Sequence, residues 1–232
     1  MLYYDFHIHS ALSPCGDKDM TPNNIVNMAS LLGLNTIAVS DHNSVKNVKA
    51  AMEVGKNCGV TVLAGMEVET EEEVHILTLY PSLDAAAEAG EAVYKALPEI
   101  KNRPEIFGEQ LIMDSQDNVT GIEEKLLISP TTLSLNALFD IVKSVGGLFI
   151  PAHIDRHSYS ILTNLGFMPE DLDIKMIEIS KNTLDVAAYL ESRPELAKYK
   201  IFRNSDAHYL EHISEKSEFL ETDNIYDIFK KD

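Results

Sequence analysis

Short apolar runs alternate with amphipathic stretches along most of the chain. In the stretches between the runs, apolar residues recur at helical spacing. An alternation of strands and helices is typical of βα units and of a largely parallel sheet. We therefore predict seven strands, which cover residues 2–9, 35–41, 60–68, 74–80, 148–153, 176–179 and 200–205.

Local signals predict the ends of the first two helices. Thr21 followed by Pro22 suits an N-cap and a first helical residue, and Gly33 suits the end of that helix. The second helix is predicted to run from a cap at Ser44 to about Cys58.

One stretch departs from the alternation. Residues 98–130 contain several prolines and glycines and only short apolar runs, and we predict a small hairpin at about 112–120 within them. The expected architecture is a single domain that covers residues 1–232, in which this stretch is an insert.

The charge and composition narrow the classes of partner. The chain has 232 residues, with 37 Asp and Glu against 19 Lys and Arg, which gives a formal charge of −18. Because such a surface repels phosphate backbones, we expect no binding to duplex nucleic acid. The two cysteines are typical of a reducing cytosol, and the N-terminus lacks the pattern of a signal peptide. No apolar run approaches the roughly 20 residues of a membrane span, so we expect a cytoplasmic protein without membrane contact.

Histidines and carboxylates fall at the ends of successive predicted strands. In a parallel barrel the carboxyl ends of all strands meet at one face, so these side chains are expected to share one pocket. His75 lies early in its strand, and its position is the least secure of the set. The residues concerned are His7, His9, His42, Glu67, His75, His153, Asp206 and His208.

The residue types indicate a metal centre. Imidazole and carboxylate together suit Zn, Mn or Fe, and a carboxylate such as Glu67 can bridge two ions. Two bridged ions can activate a water and stabilise an in-line phosphoryl displacement. The sequence therefore predicts two or three divalent metal ions as cofactors. His157 and His212 lie in predicted loops and are not expected to be ligands.

Six short motifs resemble the polymerase and histidinol phosphatase (PHP) family in sequence and in order. They are DFHIHS at 5–10, SDHN at 40–43, GME at 65–67, VHI at 74–76, PAH at 151–153 and SDAH at 205–208. The resemblance implies a distorted (β/α)7, TIM-like barrel that holds three metals.

The resemblance also implies a ligand set for each metal. The first metal would take His7, His9, Glu67 and Asp206. The second would share Glu67 and add His75 and His153. The third would take His42, His208 and a residue of the loop after the first strand. In that loop DKDMTP at 17–22 resembles a family pattern in which Asp17 ligates, and Asp19 stays open.

Within this family the chain resembles small phosphoesterases that stand alone. This resemblance implies that an insert at about 81–130 acts as a lid over the pocket. The resemblance implies hydrolysis of small phosphate monoesters, such as nucleotides, nucleoside bisphosphates or short oligonucleotides, by a hydroxide that bridges two metals. The catalytic set would be His7, His9, Glu67 and Asp206, joined by Arg156, whose guanidinium could pair with two phosphate oxygens.

Three alternatives stay open at this point. An amidohydrolase that cleaves C–N bonds also begins with H-x-H, although it typically uses a bridging carbamylated lysine. A histidinol phosphate phosphatase belongs to the same family. The chain could also be a metal-binding regulatory module without activity.

Overall fold

The computed structural model describes residues 1–230 as a mixed α/β fold built around a curled sheet. The sheet has six strands in the order β10-β1-β2-β3-β4-β7. These strands are β1 (Leu2–Ile8), β2 (Thr36–Val39), β3 (Thr61–Glu69), β4 (His75–Tyr80), β7 (Leu148–Pro151) and β10 (Phe219–Leu220). Strands β1, β2 and β3 are parallel, as predicted.

The direction of β4 differs from the prediction of a largely parallel sheet. β4 is antiparallel to both β3 and β7, because only a short turn joins β3 to β4. A turn of this length can connect only antiparallel neighbours, since parallel strands need a crossover of a dozen or more residues. The structure is thus a half-barrel in this region, and the regular (β/α)7 repeat is interrupted there.

A second, parallel pair of strands extends the curl. β8 (Met176–Ser180) pairs with β9 (Lys200–Asn204). Just beyond β9, Ala207 bridges to Ile8, so the end of this pair meets the end of β1. Apolar side chains of β1, β2, β3, β4, β7 and β9 form one buried cluster, in which Phe6 and Phe202 meet edge to face at 5.5 Å.

In the part of the chain that the structure describes, seven α-helices accompany the strands. They are α1 (Pro22–Leu31), α2 (Val48–Cys58), α3 (Leu83–Ala96), α4 (Pro104–Phe107), α5 (Leu135–Ser144), α6 (Ile161–Leu165) and α7 (Val186–Glu191). Short 3-10 helices cover Pro194–Lys198, Leu210–His212 and Ile225–Phe229. The Thr21 cap is confirmed by its bond from the Asn24 N–H, whereas α2 begins after Asn47 and not at Ser44. No helix within residues 1–230 is both long and apolar enough to cross a membrane.

The segment predicted as an insert, residues 81–130, has two parts. Its first part is helix α3, which buries Ala86, Ala89 and Val93 in the main apolar core. The remainder contains α4 and a hairpin of β5 (Leu111–Met113) and β6 (Val119–Ile122), close to the predicted position. This hairpin segment rests on the loop after β1, where the Leu111 N–H donates to the Ala11 carbonyl.

Candidate metal centre

The turn between β3 and β4 brings His75 to the pocket. Glu67 lies near the end of β3, and Glu69 stands opposite His75 in the antiparallel register. A residue at the start of β4 is therefore at the same edge of the sheet as the end of β3. This explains how His75, early in its strand, lies beside residues from strand ends.

Glu67 is the hub of the pocket. Its carboxylate is 1 % exposed and lies within 3.4 Å of five imidazoles. The distances are 3.2 Å to His7 Nε2, 3.4 Å to His9 Nε2, 3.1 Å to His42 Nδ1, 2.9 Å to His75 Nδ1 and 3.2 Å to His153 Nε2. A buried carboxylate with so many nitrogen neighbours is suited to bridging cations.

Three groups of side chains are compact enough to hold a metal ion. The first is His7, His9, Glu67 and Asp206, the second is His42, Glu67 and His75, and the third is His9, His42 and His208. The first group is the one that the family resemblance implied. The other two differ in detail from that assignment, because His42 joins the Glu67 group and His9 reaches the third group. His153 stays in contact with Glu67.

The other nitrogen of several imidazoles is already bonded to the protein. His7 Nδ1 donates to Glu178, and His208 Nδ1 donates to the Asp206 carbonyl at 2.9 Å. His9 Nδ1 lies 3.0 Å from Ser13 Oγ, whose own proton goes to Asp41. In these three histidines Nδ1 is therefore taken up by the protein, and Nε2 is the nitrogen that would face a metal ion.

Unsatisfied buried atoms support the same assignment. His7 Nε2 and His42 Nδ1 are buried, make no hydrogen bond and lie beside Glu67. Buried polar atoms are rarely left without a partner, and each such case asks for an explanation. A divalent cation between these nitrogens and the carboxylate supplies one, so the residues present fit a metal centre.

The carboxylates raise the pKa of the histidines around them. Burial lowers the pKa of His7, but Glu178, Glu67 and Asp206 outweigh it and hold this pKa well above its usual value. Burial also opposes the charged form of His75, yet Glu67 and Glu69 raise its pKa to about 9. The same histidines keep the pKa of Glu67 well below its usual value, against the effect of burial.

Histidines on the other side of the pocket behave in the opposite way. Burial lowers the pKa of His42 well below its usual value. Burial together with the neighbouring His9 lowers the pKa of His208 to about 4. These two imidazoles are therefore neutral at pH 7.

Arg156 reaches the pocket through Asp206. Its Nη1 lies 2.6 Å from Asp206 Oδ2, and 36 % of its side chain is exposed. The ion pair places a guanidinium at the edge of the metal centre. Because Asp206 fixes the orientation of the guanidinium, the remaining N–H groups of Arg156 are suited to binding an anion.

Asp17 and Asp19 are not brought into any of the three groups. The Asp17 carboxylate accepts the Asp19 N–H at 2.8 Å and so closes its own turn, and Asp19 is exposed. Only the Asp17 backbone meets the pocket, through a bond from its N–H to the His208 carbonyl. His9 takes the place in the third group that this loop was expected to fill.

Two pocket residues have a strained backbone. His153 has φ of 29° and Asp206 has φ of 50°, in the left-handed region that few non-glycine residues adopt. Strain of this kind costs about 1–3 kcal/mol per residue and concentrates at functional sites. β7 and β9 end two residues before His153 and Asp206 respectively, and the two side chains turn towards Glu67 and His9.

The sequence interpretation missed the buried carboxylates behind the ligands. Asp5 accepts the N–H groups of Ser205 and Ser214, and Asp41 accepts Ser10 and Ser13. Glu178 accepts His7 from the middle of β8. A signal was available for Glu178, since it is a lone carboxylate within the apolar run Met176–Ser180.

These features define a metal-binding α/β protein. The PHP domain family matches residues 5–141, which is more than half of the chain. The chain therefore belongs to the PHP family, and the resemblance noted from its motifs is confirmed.

Similar proteins place the fold among enzymes that act on phosphate esters. The chain is 29% identical over 98 residues to a 5'-3' exoribonuclease of Haemophilus influenzae. The aligned stretch covers 39% of this chain and 35% of the exoribonuclease. Its fold also resembles that of a two-domain protein from Bacteroides vulgatus, which contains a predicted PHP-like metal-dependent phosphoesterase. The TM-score is 0.55 and the sequence identity is 17%, and the match covers 90% of this chain and 52% of the other. The alignments span between 18% and 44% of the length of the curated relatives.

A third similarity corrects one expectation. The lesion-specific endonuclease EndoQ of Pyrococcus furiosus has a TM-score of 0.64 and 20% identity, over 90% of this chain and 49% of that one. Endonuclease Q has also been crystallised with a 27-mer duplex that carries an abasic lesion at the active site. The expectation that duplex nucleic acid is excluded is therefore wrong, because net charge does not describe the local field of a pocket that binds cations.

Proposed function

We propose that the chain is a metal-dependent phosphoesterase that hydrolyses nucleotides or short oligonucleotides. The observation that carries this proposal is the single buried carboxylate of Glu67 with five imidazoles within 3.4 Å. Divalent ions held by this set would lower the pKa of a bound water and neutralise phosphate oxygens.

The protein's own residues would orient the phosphate. Arg156 is held by Asp206, and its free N–H groups would donate to a phosphate oxygen beside the metal ligands. His42 and His208 are neutral at pH 7, so they add nitrogen ligands to the pocket without adding positive charge.

The surroundings of the pocket would suit a nucleoside. A groove of about 330 Å³ lies between the loop after β1 and the insert, lined by Cys15, Asp17, Gly108, Glu109 and Tyr209 among others. The lining carries both charges, with Lys18 beside Asp17 and Glu109, and the exposed Tyr209 ring offers a stacking surface. On the other side, Tyr159 stacks on His75 with ring centroids 4.7 Å apart and is 46 % exposed.

The amidohydrolase alternative lacks its bridging group. Within residues 1–230 no lysine is buried, so none is placed to become the carbamylated bridge that such enzymes typically use. Glu67, which belongs to two of the three groups, would supply the bridging carboxylate instead. This difference favours phosphate esters over cyclic amides as substrates.

A substrate panel tests the proposal. The protein would be stripped of metal, reloaded with Zn²⁺ or Mn²⁺, and assayed with nucleoside monophosphates, nucleoside bisphosphates, short single strands, a lesion-containing duplex and a cyclic amide. We expect cleavage of a phosphate ester that Glu67→Gln abolishes and that Glu88→Gln, an exposed carboxylate on α3, leaves unchanged. Turnover of the amide alone would overturn the proposal, and so would no turnover of any phosphate ester by fully loaded protein.

A further inference from the structure

A buried carboxylate behind the metal centre has no role in the ligand set. Glu178 lies in the middle of β8 and is 1 % exposed. Among residues 1–230 the only basic side chain within ion-pair distance is His7, with Nδ1 3.0 Å from Oε2. Burying a carboxylate with a single basic partner is costly, so its position calls for a reason beyond packing.

Three donors converge on the two oxygens of Glu178. The His153 backbone N–H donates to Oε1 at 3.0 Å, and Asn204 Nδ2 donates to Oε2 at 2.7 Å. His7 Nδ1 lies between the two oxygens, at 3.2 and 3.0 Å. Both oxygens are therefore required as acceptors.

The orientation of the Asn204 amide is fixed from its other side. Its Oδ1 accepts the Phe6 N–H at 2.8 Å, which leaves Nδ2 facing Glu178. A glutamine at position 178 would place an NH₂ group against at least one of the donors. The site thus selects a side chain that only accepts hydrogen bonds, which among residues of this length is glutamate.

We propose that Glu178 is a positioning residue of the metal centre, in an inference that rests on the proposed metal binding. It holds His7 with Nδ1 protonated, so that Nε2 faces Glu67 and Asp206. Through the His153 N–H it also ties down the strained residue that follows β7. Partners of this kind fix the tautomer of a ligating histidine and raise its basicity, and their loss typically costs about 10–100-fold in metal affinity.

Glu178→Gln and Glu123→Gln form a matched pair of variants. Glu123 is another buried carboxylate, but it lies in the insert and is bonded to Tyr94 and Lys46. Zn²⁺ affinity would be measured by competition with a chromophoric chelator, and the His7 tautomer by long-range ¹H–¹⁵N correlation spectra of the zinc-loaded protein. Neither measurement requires turnover, so failure of the proposed reaction would not be confused with failure of this inference.

We expect Glu178→Gln to weaken the tightest Zn²⁺ site by about 10–100-fold and to change the His7 signals. Glu123→Gln should change neither, even if it lowers the thermal midpoint. If Glu178→Gln does not fold, the double variant with Asn204→Asp restores an acceptor opposite the new NH₂ group and takes its place in both measurements. Wild-type Zn²⁺ affinity with an unchanged His7 spectrum, in whichever of these two proteins folds, would overturn the inference.

Discussion

The two sides of the metal pocket contain similar numbers of histidines but differ in charge. On the Glu67 side, carboxylates face the imidazoles and raise the pKa values of His7 and His75. The other side, which we call the imidazole side, is the compact group of His9, His42 and His208. This group contains only nitrogen ligands, and the pKa values of His42 and His208 are lowered.

This difference should appear as a difference in metal affinity. A cation on the Glu67 side replaces protons and gains the attraction of several buried carboxylates. A cation on the imidazole side meets two neutral ligands, His42 and His208, and its compact group contains no carboxylate. We therefore expect tight binding on the first side and weaker binding on the second.

The largest expected effect follows from Glu67→Gln. Because Glu67 touches five imidazoles, its neutral replacement removes the bridging charge from two of the three groups. Metal affinity should fall by more than the roughly 100-fold typical of losing an outer partner, and turnover should be lost. Metal content by elemental analysis, with Glu88→Gln as control, checks this, and full metal content in Glu67→Gln would contradict it.

His208→Ala should affect the imidazole side alone. We expect loss of about one bound ion at saturating metal, with the tight ions retained, since no ligand of the Glu67 group is changed. His7→Ala, by contrast, should remove a tight ion. If the two variants lost the same class of ion, the contrast between the sides would be wrong.

Arg156→Lys keeps the positive charge but loses the planar pair of donors. A hydrogen bond to a charged group contributes about 1.5–3 kcal/mol, so kcat/KM should fall by roughly 10–100-fold. Metal content should stay the same, because Arg156 contacts only the far oxygen of Asp206. Steady-state kinetics on metal-saturated enzyme measures the effect, and an unchanged kcat/KM would remove Arg156 from the proposed phosphate site.

The metal-free protein should lose stability as the pH rises from about 6.5 to 9. His75 has a folded-state pKa of about 9, above its ordinary 6.5, so its stabilising proton is fully bound below pH 6.5 and is lost towards pH 9. The loss attributable to it is on the order of 3 kcal/mol. Urea unfolding in the presence of chelator measures this slope. A flat profile for wild type, or the same slope in His75→Ala, would contradict the assignment.

The smallest expected effect concerns the rim of the pocket. Tyr209→Ala and Tyr159→Ala should each raise KM for a nucleotide by about 5-fold, since stacking of a base on an exposed ring contributes about 1 kcal/mol, the low end of its usual range. A small aliphatic phosphate ester should be nearly unaffected. Tyr226→Ala is the control, because this exposed tyrosine lies beside Val60 and Val62, at the far end of β3. Equal effects on both esters would argue against a nucleoside in the groove.

The residues of the pocket were easier to predict from the sequence than the directions of the strands that carry them. Spacing and residue type placed His7, Glu67 and Asp206 together, because strand ends of an α/β sheet must meet. It did not predict that β4 runs antiparallel, since a run of apolar residues carries no direction. The turn at Glu71–Glu73 was the available clue, because it is too short for a crossover.

Sequence patterns did not predict the hydrogen bonds between residues that are far apart in the chain. Glu178 and His7 are separated by 171 residues, and no local spacing connects them. Asp17 was favoured by a loop motif, yet its carboxylate bonds to the Asp19 N–H within its own turn. Whether an Asp side chain bonds to its own turn or reaches a metal depends on the backbone geometry of the loop. A sequence motif does not contain that information.

A zinc titration of metal-free protein tests the central contrast most directly. We predict two classes of zinc site in the wild-type protein, one tight and one weak. Glu67→Gln should abolish the tight class, and His208→Ala should abolish the weak class alone. A single class of equal affinity in wild type, or loss of the tight class in His208→Ala, would contradict it.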